Sequence, residues 1–143
     1  MVENGYKITE DQIVTRVAEG AIAFATGAQY APVIEGTSTS QIKAATDSAA
    51  TVVGFVKKPT GKDSIEDGDA CDVVLSGLIK VPAAAAVTIN SFLEVDATVT
   101  KVAAFDPDTT TAITLLADLR KNVGVAKSSV GAAGDIWIQV GRR

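Results

Sequence analysis

Apolar residues in this chain come in short runs, broken repeatedly by glycine, proline or clusters of Ser, Thr, Asn and Asp. No stretch carries long 3.6-residue periodicity with caps at both ends, so helices should be few. "EGAIAFATG" and "QYAPVIEG" read as short strands broken by Gly20, Gly27 and Gly36. "TSTSQIKAATDSAA" reads as a polar loop or irregular edge, and "TVVGFVKK" as an apolar strand. "PTGKDSIEDG" is a charged loop with Pro59, Gly61 and Asp67-Gly68 as turn signals. "DACDVVLSGLIKVPAA" is a strand or pair of strands kinked near Gly77. "AVTINSFLEVDATVTKVAA" holds two apolar runs parted by Asn90-Ser91, then alternation through Val95, Ala97 and Val99 and a hairpin-like return. A loop follows around Pro107. "AITLLADLRKNVGVAKS" opens as one helical turn or, through Ile113, Leu115, Ala117 and Leu119, alternates as a strand. "SVGAAGD" is a turn and "IWIQVG" a closing strand.

Residues 1–15 mix polar positions with Tyr6, Ile8, Ile13 and Val14 and read as an extended N-terminal arm. Two readings compete near its end: a short helix capped by Thr9 with Gln12 in a capping box, or strands starting near Ile13. Short strands separated by turns predict a mainly β fold. The expected architecture is one small β-barrel, β-tulip or sandwich-like, over residues 16–143, with at most one or two short helices.

One pattern occurs twice. Val53-Gly54-Phe55-Val56-Lys57 matches Val123-Gly124-Val125-Ala126-Lys127, and each copy is followed by Gly-Asp and an apolar run: Gly68-Asp69 and Gly134-Asp135. The two units span 52–77 and 122–141. A glycine in an apolar strand permits close backbone approach or a bend. Gly-Asp suits a tight turn, because glycine accepts positive φ and Asp bonds nearby backbone. The expectation is that Gly54, Gly68, Asp69, Gly124, Gly134 and Asp135 are turn residues of the fold, and that the two units together close one barrel.

Composition sharpens this picture. Of 143 residues, 47% are hydrophobic but only 5% aromatic, and small or β-branched side chains dominate, which suits strands. The net charge of −4 argues against generic nucleic-acid binding, which depends on Lys and Arg neutralising phosphates. Histidine is absent, which removes His-dependent nucleophilic catalysis and the usual zinc sites. Cys71, the single cysteine, reads as a small strand residue, and no intrachain disulfide can form. The acidic group Asp63, Glu66, Asp67, Asp69 and Asp72 lacks the spacing of a calcium loop. No catalytic, cofactor or metal residues are therefore expected. No run reaches the length of a membrane span, and the N-terminus lacks a secretory leader pattern, so neither membrane nor export is expected. Trp137, the single tryptophan, alternates with Ile136 and Ile138 and is either a core plug or an interface anchor.

The order of these motifs is what resembles a known group. A Val-Gly-apolar-apolar strand, Gly-Asp, "VVLSGLIKVPAAAAVTIN", "FLEVD", "VTKV" and a closing "NVGVAKSSVGAAGDIWIQV" make residues 20–143 similar to the capsid cement, or head decoration, proteins of tailed viruses. The chain departs from that pattern at Asn90-Ser91, where Gly-Asp is usual, and in its longer charged loop. The resemblance implies a structural protein of the virion, made in the host cytoplasm and placed on the outer capsid surface. It implies a homotrimer whose partner is the major capsid protein, with Tyr6, Ile8, Ile13 and Val14 of the arm as shell contacts. A carbohydrate- or receptor-binding β module is the alternative, and the scarcity of aromatics counts against it.

Overall fold

A computed structural model describes residues 2–3, 5–47, 51–96, 98, 100–107 and 110–141. Among these the protein is mainly β with one short helix.

The organising element is β9 (Ala70–Ala83), a strand of 14 residues. β3 (Thr9–Ala18) runs antiparallel along it, from Thr9 opposite Leu78 to Val17 opposite Ala70. On the other side of the same half of β9 lies β7 (Gly54–Lys57), with Phe55 opposite Val74 and Val56 opposite Val73. β5 (Tyr30–Glu35) and β6 (Gln41–Ala44) complete a circuit β9-β3-β6-β5-β7-β9. The second half of β9 pairs antiparallel with β13 (Gly134–Val140). β12 (Gly124–Ala126), β10 (Phe92–Val95) and β11 (Val102–Phe105) follow, and a parallel bridge from Val102 to Ala83 returns to β9. The sheet therefore closes into two rings that share one strand, which satisfies edges that an open sheet would expose. Two further pairs stand apart: β1 (Val2–Glu3) with β2 (Tyr6–Lys7), and β4 (Ile22–Ala23) with β8 (Ser64–Ile65).

The ring arrangement explains the repeat. The first copy of the repeat is β7 followed by β9 in one ring; the second is β12 followed by β13 in the other. Each copy belongs to its own ring rather than both closing one. Gly54 and Gly124 are the matching positions. A Cβ on Gly54 would lie 2.5 Å from the Val74 carbonyl oxygen, and one on Gly124 would lie 2.6 Å from that of Gln139. Both glycines let neighbouring backbones touch within strands; neither is a turn residue. Gly77 marks the crossing point. It pairs with Glu10 on one side and Val140 on the other, at φ 145°, and a Cβ there would collide with the Thr9 carbonyl. β9 runs through this residue unbroken, and the pairing with β3 shifts register beside it, between Glu10 and Ile13.

Two apolar clusters follow from strand alternation, since adjacent residues point to opposite faces. Val73 joins a cluster with Ala18, Ala31, Val33, Ile42, Val56 and Cys71, where Ile22 and Ile65 arrive from the β4–β8 pair. Val74 joins the larger cluster, with Phe55, Tyr30, Ile79, Val81, Leu93, Ile136 and Ile138. The larger cluster thus spans both rings and holds them as one body.

Three expectations near the N-terminus and in the middle of the chain change. The strand starts at Thr9, inside the segment read as an arm, because Ile13, Val14, Thr15 and Val17 are β-branched and find a long partner in β9. Thr9 caps no helix; its hydroxyl donates to the Lys7 carbonyl. The polar stretch after Gly36 supplies β6, which pairs parallel to β3 and antiparallel to β5. Ala97 and Val99 lie outside the described residues.

Candidate interaction surface

The acidic group of the charged loop is distributed among separate tasks. Asp69 Oδ2 accepts the Glu66 N–H at 3.2 Å and lies 3.8 Å from Lys62 Nζ. Asp67 Oδ1 accepts the Gly20 N–H at 2.8 Å, and Gly68, at φ 87°, donates its own N–H to the Ala18 carbonyl. Asp72 accepts the Thr15 hydroxyl, and Asp63 faces Lys58. These bonds lash the loop to the end of β3. Gly68 thus sits at positive φ in a turn beside Asp69, whereas Gly134 and Asp135 are the first residues of β13, opposite Ala83 and Pro82. Among the described residues no three acidic or Cys side chains converge to hold an ion.

A cleft of about 520 Å³ lies between this loop and β9, lined by Lys57, Lys58, Lys62, Asp69, Cys71 and Asp72 among others. Burial, reinforced by Asp72 and Asp69, pushes the Cys71 thiol above its usual range, so it is a poor nucleophile. Its Sγ–H donates to the Arg16 carbonyl. The cleft offers mixed charge but no reactive group.

The outward faces carry more information. Opposed residues in an antiparallel pair share a face. Phe105, Phe92, Val125, Gln139 and Leu78 stand opposite one another in turn across β11, β10, β12, β13 and β9. The Phe92 and Phe105 rings lie 6.4 Å apart, and Phe92 is exposed. Beside this row, Trp137 stands opposite Lys80. Trp137 belongs to neither core cluster, yet is 3% exposed, with the Tyr6 ring 5.8 Å away. Of the four residues expected as shell contacts, Ile8 and Ile13 are exposed, joined by Val17 further along β3. Tyr6 is half-buried against Trp137, and Val14 packs on the smaller core cluster. The four do not form one surface, because alternation turns Ile13 and Val14 to opposite faces.

The helix α1 (Ala112–Lys121) resolves the ambiguous run after Pro107. The Thr111 hydroxyl accepts the Thr114 N–H at 3.1 Å as an N-cap, and Arg120 and Lys121 in the last turn suit the negative end of the helix dipole. Helical spacing leaves Leu115 half-buried and sets Ile113, Leu116 and Leu119 outward. Ile113 is 84% exposed, the barest large apolar side chain among the described residues. Sequence reading missed this patch because strand alternation groups Ile113 with Leu115, whereas the cap at Thr111 was the signal for helix. It also missed a half-buried polar junction. Glu10 of β3 accepts the Tyr30 hydroxyl at 2.6 Å and the Lys57 ammonium at 3.1 Å, joining three strands of the first ring.

The protein is thus a mainly β domain of two fused rings, with several exposed apolar side chains and no metal-ligating cluster among the described residues. No family model and no curated protein matches the chain. A solved structure is similar in fold, "head fiber gp8.5 N base in bacteriophage phi29", at 12% identity and a TM-score of 0.50, covering 90% of this chain and 92% of that one.

Proposed function

We propose that this protein is a structural component of a tailed-virus head, which binds the outside of the shell as a trimer and cements neighbouring major capsid protein subunits. The observation that carries this reading is the likeness of fold across nearly the whole chain to the base of a phage head fiber. The chemistry is compatible with a passive role: histidine is absent, the single cysteine is held protonated, and the acidic residues serve turns and ion pairs. The exposed residues supply material for contacts. Ile13 and Val17 share one face of β3, Ile8 is exposed just before that strand, and Ile113, Leu116 and Leu119 are exposed on α1. Many symmetric copies on one shell make modest contacts sufficient, and joining three chains multiplies their effect. The test is binding of the purified protein to expanded shells, read together with the temperature at which DNA-filled heads rupture. Binding that raises the rupture temperature supports cementing. Binding without that rise leaves a decoration role and removes the cementing one.

A further inference from the structure

Trp137 is the inconsistency in an otherwise regular sheet. Ile136 and Ile138, its neighbours on β13, are fully buried in the larger core cluster. Alternation therefore sends the indole to the outward face. There it is still 3% exposed, and its Nε1–H is buried with no acceptor. Buried donors are almost always satisfied, because leaving one unpaired forfeits its bond to water with nothing in return. The aromatic contact is the Tyr6 ring, 5.8 Å away at an interplanar angle of 54°. Tyr6 belongs to the β1–β2 pair, which is a sheet of its own with no ladder pairing to the ring sheet among the described residues; the Thr9 hydroxyl of β3 reaches its Lys7 carbonyl at 3.4 Å. Its register is two residue pairs, Val2 opposite Lys7 and Glu3 opposite Tyr6. Two-stranded pairs this short are marginal in water. A weakly held hairpin thus covers a large aromatic whose polar atom is unsatisfied beneath it.

We infer that the β1–β2 pair, through Tyr6, is a displaceable cover, and that Trp137 is the contact on which an extended segment of the shell docks in its place. A backbone carbonyl of that segment accepts the orphan indole N–H. This rests on the head-protein reading for its partner, but the cover itself is a property of the free chain. Bond energetics favour the exchange: the covered state leaves a donor unpaired, and the docked state pairs it. The neighbouring outward row of Phe92, Val125 and Leu78 extends the apolar surface along which an incoming strand would lie. Trp137 and Tyr are favoured at such contacts because one side chain offers both area and a polar handle.

The chain has one tryptophan, so its fluorescence reports this site alone. In the free protein, Tyr6→Ala should keep the far-ultraviolet circular dichroism of the parent, shift tryptophan emission to the red and increase quenching by acrylamide. Unchanged emission, or loss of the fold, would show that the hairpin is no cover and overturn the inference. With the full chain carrying fluorotryptophan, binding to expanded shells should move its single fluorine resonance. Trp137→Phe keeps an aromatic ring but no donor, and should weaken shell binding about fivefold, the worth of one net hydrogen bond. Binding that neither moves the resonance nor responds to Trp137→Phe overturns the inference and leaves the head-protein reading standing. No binding by the unaltered chain overturns both.

Discussion

Glu10 shows how one residue can set the acid response of the first ring. Partial burial pushes its carboxyl up, but the hydrogen bonds from Tyr30 and Lys57 and the Lys57 charge outweigh this, and it titrates below its ordinary value. Burial and the adjacent Glu10 push the Tyr30 phenol well above its usual range, so it stays a donor. A carboxyl with a lower folded than unfolded pKa contributes stability above its unfolded value of 4.5, and that contribution disappears as pH falls through the folded value. Glu10→Gln is expected to cost about 1–2 kcal/mol near neutrality, discounted because Lys57 is half exposed. Thermal melts of parent and variant should converge as pH drops below that point; a gap that persists in acid would contradict the assignment. Glycines make a second residue-scale case. Gly54→Ala and Gly124→Ala should each cost about 1–3 kcal/mol by overpacking against a carbonyl, whereas Gly131→Ala, with open space around it, should be nearly neutral. Equal melts for all three would remove the repeat's physical basis. These glycines were legible in the sequence because they sat inside apolar runs. Glu10 was not, since nothing local announces that a carboxylate on one strand will meet a phenol and an ammonium from two others. Asn90 is intermediate. It adopts φ 72°, the left-handed conformation that asparagine tolerates better than most residues, so the departure from Gly-Asp preserves the turn.

At the scale of elements, strands with strong β-branched content were readable and their boundaries less so. Residues 9–18 carried both a capping pattern and a strand composition, and a long partner in β9 decided for the strand. The stretch 112–121 carried both alternation and a helix cap, and here no partner strand competes, so the capped helix forms. β6 was unreadable because its polar residues obtain their order from two neighbours, β3 and β5, rather than from their own pattern. The outward face of α1 belongs to this scale too. Leu116 is 52% exposed, so Leu116→Lys should leave the melting temperature almost unchanged. If this face joins copies of the chain, the same change should reduce the solution mass from about three times 14.7 kDa towards one, read by light scattering. A trimer that persists in Leu116→Lys would place the subunit contact elsewhere.

At the scale of the whole molecule, the mainly β class was legible and the ring arrangement was not. A repeated strand motif is equally compatible with two units closing one barrel or one unit closing each of two rings. What distinguishes them is β9, whose 14 residues are long enough to serve both rings, with Gly77 paired on both sides where they meet. The shared strand and the larger core cluster join the two small rings into one body. The measurement that tests the account most directly is sedimentation of the purified protein with expanded shells, with bound copies counted. Saturable binding in multiples of three per shell, abolished by excess unlabelled protein, is the result the account predicts. Protein that remains in the supernatant at every concentration, with shells intact and expanded, would contradict it.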